Sequence, residues 1–599
     1  MKIKIYLFFM LLIPMLSMQA VTTTFYVNPA SKAANDENAG TDPAAPWASL
    51  NPTKWVDGSI VMLSPGVHSV LATAAVTANV TLQGSSKSDV IIEGLSEDDI
   101  ARGSESPQFF KITGSITLTV NDVTLRNFSI TTNTANLWGG MFNVSPASTL
   151  TLKNVDIKNA SLPVCGGAAI HSEGTLNLTN VLFENCLSAN GAALSIKGSG
   201  VTTLDNVTFR NNSTDEGTAA HKYGGAICVN SQTAVVNINN SYFDSNRCTN
   251  DISNPGANYP VGGAIAFRVA AGCNAKLHIT NSTFSKNFAA WEGGAIMIDK
   301  IGDSFNSVGN VDFLFSNNTF IENYVNATHG QAFAIGGPND INMQGSISFV
   351  NNTFMHNAQP VPTSNYSSIF INSLGTSLNY INNIMLDQVW NAASKQFFGW
   401  GFVITNDVSN FVSPTFKGNV GDSAGGDIGT VIYNQWIGAD NSWTFLDPSL
   451  RTNAVDSVLT IPTTGVPYLK ISNVNSGAVS RGINEFNFNG VNIVPSLDVR
   501  GSAIYGTGKD AGAYEYNPSI TSINNIISKA TMFAYPNPFK DIIYLHKDVA
   551  NISVYDLAGN KKISAANVSQ VNVANLETGL YIVRIVDTDG TVFNQKMQK

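Results

Sequence analysis

Apolar and polar positions alternate along most of the chain in short runs that keep returning in the same order. An apolar residue two places before an asparagine recurs nine times. The copies are Leu125–Asn127, Leu152–Asn154, Leu178–Asn180, Leu204–Asn206, Ile238–Asn240, Ile279–Asn281, Phe315–Asn317, Phe349–Asn351 and Tyr380–Asn382. Another apolar residue, often phenylalanine, follows each asparagine by three places. Alternation in segments this short predicts β-strands separated by tight turns.

A glycine-rich block lies between successive asparagine copies. Its clearest versions are GGAICV at 224–229, GGAIAF at 262–267 and GGAIMI at 293–298. The asparagine spacing runs from 26 residues, between Asn154 and Asn180, to 41, between Asn240 and Asn281. One coil of a solenoid has about this length. The sequence therefore predicts an all-β fold, a right-handed parallel β-helix solenoid.

Stacked coils give the repeated residues a physical reason, because equivalent side chains form columns. A buried asparagine column satisfies itself, since each amide NH2 donates to the amide oxygen of the next coil. We therefore expect the nine ladder asparagines to point inward and the phenylalanine rings to stack along the axis. Further asparagines follow the phenylalanine positions by three places, as Asn212 follows Phe209 and Asn246 follows Phe243. The glycine pairs permit a bend that a Cβ atom would obstruct.

The alternation of GGAI with FxxN resembles the repeats of polymorphic outer-membrane proteins and related bacterial surface β-helices. It covers roughly residues 120–390. The opening segment 25–70, from FYVNPAS to PGVHSV, is similar to the start of many pectate-lyase-like secreted proteins, which implies an N-terminal cap. DVRGSAIYGTGKDAGAYEY at 498–516 resembles the closing segment of bacterial surface β-helices. These resemblances imply a pectin-lyase-like fold at the cell surface and no particular reaction.

The pattern changes after the polar stretch 519–530. Shorter alternating strands and new turns predict a small antiparallel Ig-like β-sandwich over 531–599. This tail resembles the type IX secretion sorting domain of Bacteroidetes. The matching residues include Tyr535, Pro536, Asn537, Pro538, Gly559, Gly579 and Tyr581. The resemblance implies an export address read by the type IX secretion machinery, and an ordinary Ig-like binding domain is the alternative.

The N-terminus and the composition set the compartment. Residues 1–20 place two lysines ahead of an apolar run, as secretory signal peptides do. We expect a signal peptide at 1–20, a solenoid with its caps at 21–518, a linker at 519–530 and a sorting domain at 531–599. The mature chain would cross the periplasm and be secreted or anchored at the outer-membrane surface. No later run is long and apolar enough for a transmembrane segment.

Charge and cysteine content narrow the function classes. Charged residues make up 13% of the chain and the net charge is −9, so a broad electrostatic footprint for nucleic acid is not expected. The five cysteines are Cys165, Cys186, Cys228, Cys248 and Cys273. Export permits disulfides, but an odd count cannot pair completely, and the pairing stays open.

One row of polar residues follows the glycine-rich blocks, and in chain order it is Glu173, Lys197, Asn230, Arg268 and Asp299. As chemistry, Lys197 and Arg268 are candidate bases of a polysaccharide lyase, and Glu173 and Asp299 are candidate Ca²⁺ ligands. As structure, the row is a ladder of alternating charges, which the sequence favours. The single histidines His171, His221 and His329 are expected in turns or at the surface. No second carboxylate is paired with Asp299 by spacing.

The longer coils grow mainly between the FxxN turn and the glycine block, so their loops should emerge at one edge. Aromatic residues in or beside these loops suit the apolar face of a sugar. The candidate binding residues are Trp138, Tyr223, Tyr259, Trp291 and Tyr324, with His221, Lys222 and Arg247 as polar neighbours. For any single ring, packing of the loop onto the solenoid is the simpler interpretation.

Three functions remain open on the sequence alone. The leading one is an adhesin-like protein that binds a polysaccharide or host surface glycan without a cofactor. The second is a lyase acting on an acidic polysaccharide, with Ca²⁺ as its cofactor. The third is a structural surface protein.

Overall fold

The computed structural model describes residues 22–599 with internal gaps. The gaps are 71, 132–137, 215–221, 250–259, 271, 301–308, 327–329, 337–340, 358–366, 372, 387–388, 392–395, 399, 405–414, 422–442, 446–454, 507, 519–533, 558 and 589–591. The chain divides into two compact units, one ending at Tyr516 and one beginning at Asn517. The expected signal peptide 1–20 and linker 519–530 lie outside the described residues.

The first unit is a parallel β-helix, as predicted. Its largest sheet, sheet 1, has 22 strands, and their pairings are parallel throughout. The strands are Thr24–Val27, Ser59–Leu63, Gly66–Ser69, Val80–Gln83, Val90–Glu93, Thr117–Arg126, Thr149–Lys158, Thr175–Glu184, Val201–Arg210, Val235–Asn239, Tyr242–Asp244, Asn274–Thr280, Thr283–Ser285, Gly309–Ser316, Thr319–Ile321, Ile341–Val350, Thr353–Met355, Ser373–Ile381, Ile384–Leu386, Thr415–Lys417, Asn419–Gly421 and Trp443–Phe445.

Sheet 2 has 11 parallel strands and carries the glycine-rich blocks. Its strands are Ala74–Val76, Phe110–Ile112, Phe142–Val144, Ile170–Ser172, Leu194–Ile196, Ile227–Asn230, Ile265–Val269, Ile296–Lys300, Phe333–Ile335, Ser367–Ile371 and Trp400–Ile404. The first glycine of each block has a positive φ, for example 66° at Gly224 and 73° at Gly262. Glycine adopts this conformation without a steric cost, so it turns the chain into the strand as predicted.

The first unit also contains short strands and two short helical elements. The short parallel strands are Arg247–Cys248, Phe288–Ala289 and Tyr324–Val325, which form sheet 3, and the pair Ser161–Gly166 and Leu187–Asn190. Two antiparallel pairs are Val389–Asn391 with Gln396–Phe398 and Asn487–Phe488 with Val491–Asn492. Helical structure among the described residues is confined to the 3₁₀ turn Pro52–Lys54 and the α-helix Glu97–Ala101.

The prediction that the ladder asparagines point inward is wrong. All nine have φ between 48° and 60°, the left-handed conformation that asparagine tolerates better than most residues. They lie at bends of sheet 1, and several of their amides bond to each other along its outer corner, as from Nδ2 of Asn180 to Oδ1 of Asn154 at 2.8 Å. Asn180 and Asn206 are exposed. The first copy was also placed in the wrong register, since Leu125 pairs with Ile157 and Asn127 bonds to Asn159.

Two ladders of buried asparagines each follow a residue with positive φ, such as Asn211 before Asn212 and Asn317 before Asn318. One contains Asn212, Asn246, Asn287, Asn323 and Asn357, and the other contains Asn318, Asn352, Asn383 and Asn419. In the first ladder each NH2 donates to the next Oδ1 at 2.8 to 2.9 Å. The same NH2 also donates to a main-chain carbonyl, as from Asn287 to Phe243 at 3.0 Å. The self-satisfying column therefore exists, but at different residues.

The predicted phenylalanine column is confirmed. The rings of Phe183, Phe209, Phe243, Phe284, Phe320 and Phe354 stack with centroids 4.6 to 5.0 Å apart and within 9° of parallel. Each ring is fully buried and aligned with its neighbours by the parallel register, as between Phe284 and Phe320. This column forms a continuous part of the solenoid core.

One cap covers the N-terminal end of the solenoid and another covers part of the outside of sheet 1. At the N-terminal end Trp47 stacks on Phe25 at 4.6 Å and donates its indole N–H to the carbonyl of Asn38. Residues 455–516, here called the closing segment, run back over the outside of sheet 1. Their apolar side chains, including Leu469 and Ile471, pack on residues such as Ile384. The sequence indicated these caps only through resemblance.

The second unit is a small antiparallel sheet with its own core, consistent with the predicted Ig-like module. Its strands are Ala534–Tyr535, Ile542–Asp556, Lys561–Asn572, Leu580–Val586 and Val592–Gln598. The fold class predicted from the sequence is thus confirmed for both units. Of the helices in the described parts of the chain, none could span a bilayer.

Candidate functional site

The predicted row follows sheet 2 in register, because Ser172 pairs with Ile196 and Ile196 pairs with Val229, one residue before Glu173, Lys197 and Asn230. The register pairs Asn230 with Arg268 and Arg268 with Asp299, so the three side chains lie on adjacent coils. Nε of Arg268 lies 3.6 Å from Oδ2 of Asp299, and Nη2 donates to the carbonyl of Lys300 at 3.2 Å. The predicted charge pair between Arg268 and Asp299 is therefore observed.

The ring of Tyr223 completes this arrangement. The guanidinium carbon of Arg268 lies 3.8 Å from the Tyr223 ring centroid, which is a close cation–π contact. Tyr223 and Trp291, from different insertions, both pack on one apolar cluster. That cluster consists of Val261, Met297, Ala334 and Phe370. The two rings are half-buried, so each is partly a packing residue and partly surface.

Glu292 is the residue of this site that the sequence did not identify. It pairs across the coils with Val261, which in turn pairs with Tyr223, so a carboxyl group continues a column of apolar side chains. Its side chain is buried, with 7% of the residue exposed. Burial, together with the charge of Asp299, raises the pKa of Glu292 to about 7. We call Tyr223, Arg268, Trp291, Glu292 and Asp299 the Arg268 cluster.

The two carboxyl groups of the Arg268 cluster differ in their surroundings. Burial raises the pKa of Asp299 above its ordinary value, and the Arg268 charge and a main-chain hydrogen bond from Lys300 offset part of this rise. Oε2 of Glu292 has no hydrogen-bond partner among the described residues. The charged form of Asp299 is therefore supported by a cation, whereas the neutral form of Glu292 is favoured.

A second aromatic group lies on the same sheet, several coils nearer the N-terminus. Nζ of Lys197 is 4.5 Å from the ring centroid of Trp138, and that ring packs on His171 at 4.9 Å. His171 is buried, so its expected place in a turn or at the surface is wrong. Burial, together with the charge of Lys197, lowers its pKa to about 4. Oε1 of Glu173 lies 3.8 Å from Nε2 of His171.

The remaining candidate binding residues lie elsewhere. Arg247 is exposed on sheet 3, with its guanidinium carbon 5.3 Å from the ring of Phe288. Tyr324 packs on the other side of that ring at 4.7 Å. Lys222 is buried and donates to the carbonyl of Thr214 at 2.8 Å. His221, His329 and Tyr259 fall outside the described residues.

The two candidate metal ligands lie apart, and the cysteines are buried. Glu173 lies beside His171, whereas Asp299 lies beside Arg268, several coils away. Within the described part of the chain, no group of three or more histidine, cysteine, aspartate or glutamate side chains is arranged to hold a metal ion. All five cysteines are buried, and Cys186, Cys228, Cys248 and Cys273 are free thiols.

The sorting-motif residues tie the turns of the second unit to its last strand. Oδ1 of Asn537, between Pro536 and Pro538, accepts the main-chain N–H of Gln598 at 2.9 Å. The Tyr535 ring stacks on Tyr544 at 5.8 Å. The tight turn contains Gly559, whose φ is 84°.

The end of the last strand is anchored in the same way. The main-chain N–H of Lys599 donates to the carbonyl of Gly579 at 2.9 Å. Tyr581 donates its hydroxyl to the carbonyl of Glu577 at 2.8 Å and is otherwise buried. The matched positions therefore serve the fold of this unit.

Comparison with known proteins identifies the second unit. Residues 534–598 match the secretion system C-terminal sorting domain. The chain is therefore a type IX secretion substrate with a β-helix fold, secreted or anchored at the cell surface. No curated protein matches the chain.

Several solved structures are similar to the first unit. A PL6-family alginate lyase is 11% identical with a TM-score of 0.33, and the match covers 70% of this chain and 55% of the lyase. Pectate lyase Pel9A is 15% identical with a TM-score of 0.29, covering 82% and 96%. Pectin methylesterase PemA from Erwinia chrysanthemi is 11% identical with a TM-score of 0.25, covering 46% and 82%. This chain thus spans about half the length of the alginate lyase, and similarity at this level carries no activity over.

Proposed function

We propose that this protein is an adhesin-like β-helix that binds a polysaccharide or host surface glycan at the insertion edge beside sheet 2. The observation that carries the proposal is the convergence of Tyr223 and Trp291 on one apolar cluster, next to Arg268, Glu292 and Asp299. Residues from separate insertions form one surface with half-exposed rings and charged groups.

The chemistry of this surface suits a sugar. The apolar C–H face of a pyranose packs on an aromatic ring, while hydroxyl groups take hydrogen bonds from neighbouring polar side chains. The ring of Trp138 with Lys197 extends the surface along the same sheet. Tyr223 lies three coils beyond Trp138, and parallel strands are about 4.8 Å apart, so these rings are about 14 Å apart along the axis. A ligand of several sugar units would span both groups.

The lyase alternative requires a free base beside the bound sugar. Arg268 is committed to Asp299, to the Lys300 carbonyl and to the Tyr223 ring, which argues against it as the proton-abstracting group. Lys197 is the more exposed of the two candidate bases. A lyase would therefore have to work through Lys197, and the structural-protein alternative would show neither binding nor cleavage.

The test is calorimetric titration of the purified protein with plant, algal and host polysaccharides. We expect binding without depolymerisation. Tyr223→Leu and Trp291→Leu keep apolar packing but remove the rings, so each should weaken binding several-fold and the double variant should nearly abolish it. Arg210→Ala changes the exposed charge ladder of sheet 1 and is the matched control. New ultraviolet absorbance lost in Lys197→Ala would establish the lyase instead, and normal binding by the double variant would contradict the proposed site.

A further inference from the structure

The main chain holds Glu292 in place within the Arg268 cluster. Its carbonyl accepts the N–H of Gly262 at 3.0 Å, and it precedes Gly293, whose φ is 67°. Neighbouring coils place Val261 and Tyr223 at the equivalent position. A carboxyl group thus occupies an apolar column, where its side chain is buried and Oε2 lacks a hydrogen-bond donor among the described residues.

The charge of Asp299 acts on Glu292, and the other groups of the cluster come from neighbouring coils. Asp299 and Lys300 end the strand of sheet 2 that follows Glu292, Arg268 lies near the end of the preceding strand, and Tyr223 lies one coil further back. Arg268 contacts Asp299, the Lys300 carbonyl and the Tyr223 ring together. An ionised Glu292 would place a second negative charge in this cluster and would compete with Asp299 for Arg268.

We propose that Glu292 makes ligand binding at the Arg268 cluster proton-dependent, so that the site binds when Glu292 carries its proton and weakens when it ionises. The inference rests on the proposed glycan site. A buried carboxylate without a donor is costly, so ionisation must draw Arg268 away from its partners or expel the Glu292 side chain toward solvent. The first response disturbs the contact with Tyr223, and the second displaces the adjoining Trp291.

The carboxyl group of Glu292 titrates near neutral pH, so a change between pH 6 and pH 8 would alter its charge. Burial raises its pKa to about 7, from an ordinary value of 4.5. If the ionised form does not bind, linkage to one proton weakens binding about ten-fold between pH 6 and pH 8. Glutamine has the shape of the neutral acid and cannot ionise, so Glu292→Gln should bind equally at both values.

The first test needs no ligand. Tryptophan fluorescence of the full chain is titrated from pH 5 to pH 9, and the contribution of Trp291 is isolated by subtracting the Trp291→Phe variant. We expect a transition near pH 7 that Glu292→Gln removes and that Glu322→Gln, a change at an exposed glutamate paired with Lys286, leaves intact. The absence of a transition in the wild-type protein, or its persistence in Glu292→Gln, overturns the inference.

The second test measures binding of the polysaccharide identified by calorimetry at pH 6 and pH 8. We expect the ten-fold loss in the wild-type protein and none in Glu292→Gln. If the Tyr223→Leu and Trp291→Leu variants lose binding but Glu292→Gln keeps the wild-type pH dependence, the proton inference fails and the glycan site stands. If those ring variants bind normally, the glycan site itself fails.

Discussion

Asn382 and Ile483 exchange two hydrogen bonds across the outer corner of the solenoid. Nδ2 of Asn382 donates to the Ile483 carbonyl at 2.8 Å, and the Ile483 N–H donates back to Oδ1 at 2.7 Å. Asn317 repeats half of this contact, donating to the carbonyl of Leu497 at 2.8 Å. The same NH2 groups also bond along the ladder, to Asn351 and Asn281. One amide therefore links neighbouring coils and binds the closing segment.

We predict that Asn382→Ala loosens the closing segment. Asn180→Ala is the matched control, because Asn180 has the same left-handed φ and the same ladder bond but is exposed. The strain of placing alanine at positive φ is therefore common to both variants. Asn382→Ala should lose about 1–3 kcal/mol more stability than the control.

The measurements are urea unfolding and limited proteolysis with mapping of the cut sites. Cleavage of Asn382→Ala should concentrate within residues 455–516. Equal stability and equal protection in the two variants would show that the closing segment does not depend on this contact.

A second prediction compares the two kinds of asparagine. Asn287 is buried, accepts from both the N–H and the NH2 of Asn246, and donates to Phe243 and Asn323. Asn281 stands at the outer bend, where its amide donates to Asn239 at 2.9 Å. Replacing Asn287 by alanine leaves several buried groups unpaired and should cost about 2–4 kcal/mol.

Thermal and urea unfolding of Asn287→Ala and Asn281→Ala decide this comparison. Asn281→Ala should cost clearly less, mainly the strain of its bend, about 1 kcal/mol. The reverse order would restore the inward assignment of Asn281.

The sequence predicted the coils, the phenylalanine column and the sorting domain, because each rests on residues that recur or match locally. It confused Asn317 with Asn318, since asparagine suits both a left-handed bend and a buried ladder. The bend inserts a residue that breaks period-two alternation, so Phe315 and Asn318 are both buried although they are three residues apart. Counting alternate positions across the bend therefore assigns the wrong asparagine to the core.

The candidate site was only partly predictable. The register of repeated strands sufficed to place Arg268 beside Asp299, because both belong to the regular block. Glu292 belongs to an insertion, where no periodicity shows which side a residue faces. Its position immediately before Gly293, equivalent to Tyr223 before Gly224, was the available signal. Burial of His171 depends on the Trp138 ring and on Ser195 of the next coil, and a single sequence does not specify these contacts.

A third prediction concerns pH. Burial, with the Lys197 charge, lowers the pKa of His171 to about 4 from 6.5. In the unfolded chain this histidine is protonated below about pH 6.5, whereas in the folded chain it is protonated only below about pH 4. Stability should therefore be fully present above pH 6.5 and fall as the pH drops, by up to about 3 kcal/mol.

Urea unfolding between pH 4 and pH 7 checks this, with His171→Gln as the comparison because carboxyl groups also titrate in that range. The free energy of unfolding of His171→Gln should fall less as the pH drops. Lys197→Met should also reduce the fall, because removal of the positive charge raises the pKa of His171 in the folded protein. Identical pH profiles for wild-type protein and His171→Gln would contradict the assignment of His171 as a buried neutral residue.

The last prediction separates export from ligand binding. Residues 534–598 form a unit with its own buried core and match a sorting domain, whereas the Arg268 cluster lies wholly in the first unit. A chain ending at Lys529 should therefore keep the thermal transition of the solenoid and the binding of its glycan. It should accumulate in the periplasm, because the export address is missing. Cell fractionation, together with calorimetry of the purified truncated chain, measures both properties. Normal surface levels of the truncated chain would contradict the export role, and loss of glycan binding would show that the sorting domain takes part in recognition.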